Sequence, residues 1–104
     1  QRDEETGDLR VRLFEAPSPS ELEALHDESR FLLAAVVVHE DLCAGEAALV
    51  LRWPIARCAA LLDVLAARGF LMEEEERPGR FRISVQWFRA ILRHLRRRRL
   101  LPPA

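Results

Sequence analysis

The residues best equipped for chemistry in this chain are its arginines. All 16 of its lysine-or-arginine positions are arginine, a uniformity read as GC-rich codon bias rather than chemistry. A guanidinium presents a planar fork of donors that fits a phosphate or a carboxylate. Their distribution is lopsided: residues 1–76 hold all 17 acids and 7 arginines, whereas residues 77–104 hold 9 arginines and no acid. That is about −10 against +9 within a formal net charge of −1. Such a split predicts an acidic face and a basic face, and a basic face attracts phosphates or acidic protein partners. The candidates for that contact are Arg57, Arg80, Arg82, Arg89, Arg93, Arg96 and Arg97. Against it stands a purely internal role, in which these arginines complement a helix dipole and pair with the chain's own acids.

Other reactive residue types are sparse. His26, His39 and His94 share no metal-ligand spacing and no neighbour that suggests a triad. Cys43 and Cys58 sit in apolar surroundings without C-x-x-C spacing, which suits reduced, structural thiols. No glycine-rich phosphate loop is present. The chain is therefore expected not to be an enzyme, with no catalytic residue, metal or cofactor. Trp53 and Trp87 could stack on bases, but core packing is the stronger reading for each.

The elements that must position the arginines follow from periodicity. At 104 residues there is room for one modest core. Residues 1–19 read as a charged tail with a short alternating strand at Asp8–Leu13, and residues 20–104 as the domain. Ser20 and Glu23 form a capping-box pattern that opens a short helix through Leu22 and Leu25. The run from Ser29 to His39 fits a nearly buried helix, with a strand as the alternative because of its valines. Asp41-Leu42-Cys43 reads as an extended link, and Gly45 opens a helix that ends near Leu51. Pro54 opens the next helix, whose inward stripe is Cys58, Leu61, Leu62 and Leu65, and Gly69 stops it. A β-hairpin with a Pro78-Gly79 turn follows. The last helix starts near Ser84, with Val85, Phe88, Ile91, Leu92 and Leu95 on one face and Arg89, Arg93, Arg96 and Arg97 on the other.

This order resembles the winged helix-turn-helix superfamily over roughly residues 29–101. The resemblance is carried by Ala47-Ala48-Leu49-Val50-Leu51-Arg52-Trp53-Pro54, Arg57, Leu61-Leu62, Leu65 and Arg68-Gly69-Phe70-Leu71. It implies a mostly α fold with a small β-hairpin (α+β), a third helix placed as a groove reader, and a wing. Projected at 100° per residue, that third helix turns Ala56, Ala60, Asp63 and Ala67 outward. None of these reads a base edge well, because direct readout needs Arg, Lys, Asn or Gln. The acidic run Glu73–Glu76 would repel phosphates.

Two functional readings follow. In the first, the chain is an accessory winged helix of a larger protein such as an AAA+ or STAND-type ATPase. It then works through protein contacts or regulation at Ala56, Ala60, Asp63 and Ala67, with the last-helix arginines. Its start at Gln1 rather than methionine fits such a fragment. In the second, it is a DNA-binding transcriptional regulator whose Arg57, Arg80 and Arg82 touch phosphate. Head-to-tail pairing of the two faces is a third route, to an oligomer. The longest apolar run, Phe31–Val38, is far below the roughly 18–20 residues a membrane span needs. A cytoplasmic protein with no membrane partner is expected.

Overall fold

Helix breakers and apolar periodicity divide the chain into short elements, which a computed structural model describes over residues 19–102. The helices are α1 (Pro19–Glu23), α2 (Asp27–His39), α3 (Ala44–Leu51), α4 (Ile55–Ala67) and α5 (Val85–Arg97). The strands are β1 (Leu42–Cys43), β2 (Leu71–Glu73) and β3 (Arg80–Ile83). The architecture is α+β: mostly helical, with one small antiparallel sheet ordered β1-β3-β2. The strand expected at Asp8–Leu13 lies outside the described residues.

The segment Asp41–Cys43 is more than a link. Leu42 pairs with Phe81 and Cys43 with Arg80, so β1 adds a third strand to the hairpin. Two residues are too few to show alternation, and only the long-range partner makes them a strand. The hairpin itself pairs Leu71 with Ile83, Met72 with Arg82 and Glu73 with Phe81. Its turn is held by the Gly79 amide donating to the Glu73 carboxylate at 2.7 Å and the Glu74 amide donating to the Arg80 carbonyl at 2.9 Å.

α2 is a helix throughout, so its valines do not make a strand. Leu32, Leu33, Ala35 and Val36 are buried, and Val38 is exposed. α1 spans Pro19–Glu23, which puts Ser20 inside the helix rather than at its cap. α4 begins one residue later than Pro54, which occupies the cap position. Within it Cys58, Leu62 and Leu65 are buried while Leu61 is half-buried.

α5 departs most from the expected pattern. Its buried residues are Trp87, Ile91, His94 and Leu95, and Val85 and Phe88 lie outside. The inward face is rotated toward Trp87 because that indole meets the Phe70 ring edge-on, with centroids 4.3 Å apart.

α4 stops at a glycine that must be one. Gly69 has φ of 88°, its amide donates to the Ala66 carbonyl, and the Phe70 amide reaches the Leu65 carbonyl at 3.0 Å. A Cβ there would meet nothing closer than 3.9 Å, so the obstacle is backbone conformation alone. Gly45 is the converse, a helical position where a Cβ makes ordinary contacts at 3.8 Å and 4.0 Å. Gly69→Ala is expected to destabilise the protein by about 1–2 kcal/mol. Gly45→Ala should stabilise it by about 0.5–1 kcal/mol. Urea denaturation of both variants reads the opposite signs directly.

Candidate functional site

The residues expected at the surface divide into three groups according to what the fold places beside them. The first is the outer face of α4. Ala56, Ala60, Asp63 and Ala67 are all exposed, and Val64 beside them is 52% exposed. Their spacing of four, three and four residues puts them on one line of the helix, opposite Cys58, Leu62 and Leu65. The face has an acid and small apolar groups, with no hydrogen-bond donor. Arg57, on its flank, pairs with Glu28 of α2 and lies over the Trp53 ring at 5.4 Å.

The second group consists of arginines that the fold returns to carboxylates. Arg80 of β3 donates through Nε to Asp41 at 2.8 Å and through its terminal nitrogens to Glu46 at 2.8 Å and 3.1 Å. Asp41 precedes β1 and Glu46 lies in the first turn of α3, so one guanidinium fastens both to the hairpin. Hydrogen bonds from Arg80 hold both carboxyls below their ordinary ranges, and those of Glu46 and Asp41 raise Arg80 above its own. Arg77 joins Glu74 and Asp41 beside this clamp. Separately, Glu23 of α1 accepts from Arg98 at 2.8 Å and lies 3.6 Å from Arg97.

The third group has no such partner. Arg82, Arg89, Arg93 and Arg96 are exposed and make no ion pair among the described residues. Arg89, Arg93 and Arg96 follow one side of α5, around Leu92. The sequence placed six of the candidate arginines on a basic face of residues 77–104 and Arg57 on the flank of the helix after Pro54. The structure occupies Arg57, Arg80 and Arg97 with carboxylates and leaves the other four open.

A buried polar pair escaped the sequence reading. Arg30 is 4% exposed and His94 1% exposed, and the Arg30 Nε donates to the His94 Nε2 at 2.9 Å. The remaining Arg30 donors reach Asp27 and the carbonyls of Leu22 and Glu23. Because Nε2 accepts, the imidazole proton belongs on Nδ1, which has no hydrogen bond and faces the Glu23 carboxylate at 3.6 Å. Burial lowers the His94 pKa, and Arg30, Arg98 and Arg97 add to that while Glu23 opposes it. The available signal was positional: Arg30 and His94 stand at inward positions of otherwise apolar helix faces.

Both cysteines are free, Cys58 buried and Cys43 half-buried, and burial raises the Cys58 thiol. Among the described residues no group of three or more His, Cys, Asp or Glu could hold a metal ion. Among them, too, no helix is long and apolar enough to cross a membrane. No protein-family model, no curated protein and no solved structure matches the chain. Its own residues therefore carry the functional argument.

The buried pair gives the fold a pH dependence of definite sign. The folded pKa of His94 lies below the ordinary 6.5, so the unfolded chain takes up a proton that the folded chain resists. Its contribution is complete above about pH 6.5 and is lost as pH falls below that value. Glu23, held low mainly by the Arg98 hydrogen bond, loses its contribution only below about 4.5. Urea midpoints are expected to fall from about pH 7.5 to about pH 5. In His94→Gln, which lacks the titrating group, the midpoint starts lower but the fall over that range is largely absent.

Proposed function

We propose that this chain is an accessory winged-helix domain that works through contacts with other proteins, either a separate partner or the flanking domains of a parent chain. The order α3, three-residue turn, α4, hairpin and α5 supports the winged-helix reading, with α4 in the groove-reader position and β2–β3 as the wing. The observation that carries the functional half is the outer face of α4. Ala56, Ala60, Asp63 and Ala67 offer no donor to a base edge and bring a negative charge to where a phosphate would lie. Small side chains there allow another helix to approach closely.

Two of the arginines a DNA-binding protein would use are already engaged: Arg57 with Glu28, and Arg80 with Asp41 and Glu46. The wing tip adds Glu75 and Glu76, both exposed. One observation favours the alternative, a DNA-binding regulator: Arg82 and the open arginines of α5 are free to neutralise phosphates.

Two measurements separate the readings. A photo-crosslinking residue in place of Ala60, in cells producing the protein, is expected to trap a defined protein adduct, and one in place of Glu75 is not. Failure at Ala60 removes the α4 contact. A labelled duplex titrated at about 50 mM and about 200 mM salt is expected to show only weak binding that Arg57→Ala leaves unchanged. Micromolar binding at low salt that collapses at high salt and weakens in Arg57→Ala or Arg82→Ala would establish the DNA reading instead.

A further inference from the structure

α5 combines two features that its role in the core does not explain. Val85 is 79% exposed and Phe88 45% exposed, on a helix otherwise covered outside by polar and charged groups. With half-buried Leu92 they form an apolar ridge at the spacing of three and four residues that marks one side of a helix. Beside the ridge runs the second feature, the line of Arg89, Arg93 and Arg96, which make no ion pair among the described residues. Two shallow grooves meet at Arg89. One is framed by Ile83, Val85 and Phe88, the other by Leu92, Arg93 and Arg96.

We propose that this face of α5 docks an acidic amphipathic segment of a partner protein, with apolar side chains on the Val85–Phe88–Leu92 ridge and carboxylates on Arg89, Arg93 and Arg96. Charge complementarity selects the occupant. Residues 77–104 contain no acid, so α5 has no carboxylate of its own to pair these arginines along the helix. The fold returns Arg77, Arg80, Arg97 and Arg98 to Asp41, Glu46, Glu74 and Glu23 but, among the described residues, brings no carboxylate here. A polynucleotide would satisfy the guanidiniums and could stack a base on Phe88 alone, gaining nothing from Val85 or Leu92, which have no ring. An acidic amphipathic helix uses both features at once, since apolar burial anchors it and charge-assisted hydrogen bonds set its register.

The proposal deepens the protein-contact reading by giving its last-helix arginines an occupant, and it is tested separately from the α4 contact. The test is fluorescence anisotropy of the whole chain with a labelled helical peptide carrying leucines on one face and glutamates on both flanks. Controls are a peptide of the same composition in scrambled order, a duplex DNA and vesicles of anionic phospholipid. The patterned peptide is expected to bind at least about tenfold more tightly than the scrambled one. Phe88→Ser and Val85→Asp should each weaken it about five- to tenfold, and Ala60→Glu should leave it unchanged. Val85→Asp guards against misfolding, because an acid in the first turn of α5 favours the helix while it breaks the ridge. Equal affinity for the two peptides, tighter binding to duplex or vesicles, or indifference to Val85→Asp would overturn the proposal.

Discussion

Phe70 ties together the three parts of the structure on which everything else is arranged. Its amide donates to the Leu65 carbonyl and closes α4, and its carbonyl accepts from the Ser84 amide at 2.9 Å, where α5 begins. Its side chain is fully buried against Trp87 of α5. One residue therefore fixes where α4 ends, where β2 starts and how α5 lies on both. Burying a ring of this size contributes about 1.5–3 kcal/mol, and that free energy is gained only if all three elements keep their relative positions. Gly69 makes the geometry accessible by taking the left-handed conformation immediately before it. The outward faces of α4 and α5 are consequences of this arrangement, because each is what remains after the other side has met Phe70 and its neighbours.

A second constraint acts on charge. A surface ion pair contributes little by itself, but Arg80 meets two carboxylates from two different elements through several hydrogen bonds. This clamp secures the two-residue strand β1, which makes only a short ladder with β3. It also occupies the Arg80 guanidinium, so that of the two arginines in β3 only Arg82 is left without a carboxylate among the described residues. The same logic applies to Glu23, which gathers Arg97 and Arg98. The chain's charge split is thus partly cancelled by folding. Of the candidate arginines, those that remain without a carboxylate among the described residues are Arg82 of β3 and Arg89, Arg93 and Arg96 of α5.

The Arg30–His94 contact belongs to neither surface. It joins α2 to α5 beneath α1, and every Arg30 nitrogen has an acceptor. A buried cation so satisfied is tolerable, whereas a second positive charge on His94 would leave Arg30 without its acceptor and set two cations side by side. The core is accordingly built around a neutral imidazole.

Local signals were legible in the residues. The stripe of Cys58, Leu62 and Leu65, the stop at Gly69 and the Pro78-Gly79 turn each depend on side chains a few positions apart, and α4 and the hairpin follow from them. So does the exposed line from Ala56 to Ala67, which is the complement of that stripe. The chain ends of three helices were less visible, since Glu40, Arg52 and Arg99 adopt positive φ where the sequence has no glycine to announce it. Tertiary structure decided what depends on residues far apart. Leu42 and Cys43 became a strand because Phe81 and Arg80 lie alongside. Trp87 and His94 displaced Val85 and Phe88 from the inside of α5 because an indole and an imidazole are amphipathic, and only Phe70 and Arg30 give them partners there. Which arginines remain open was likewise beyond the sequence: charge is a property of a residue, but its neutralisation depends on what the fold brings within a few ångströms.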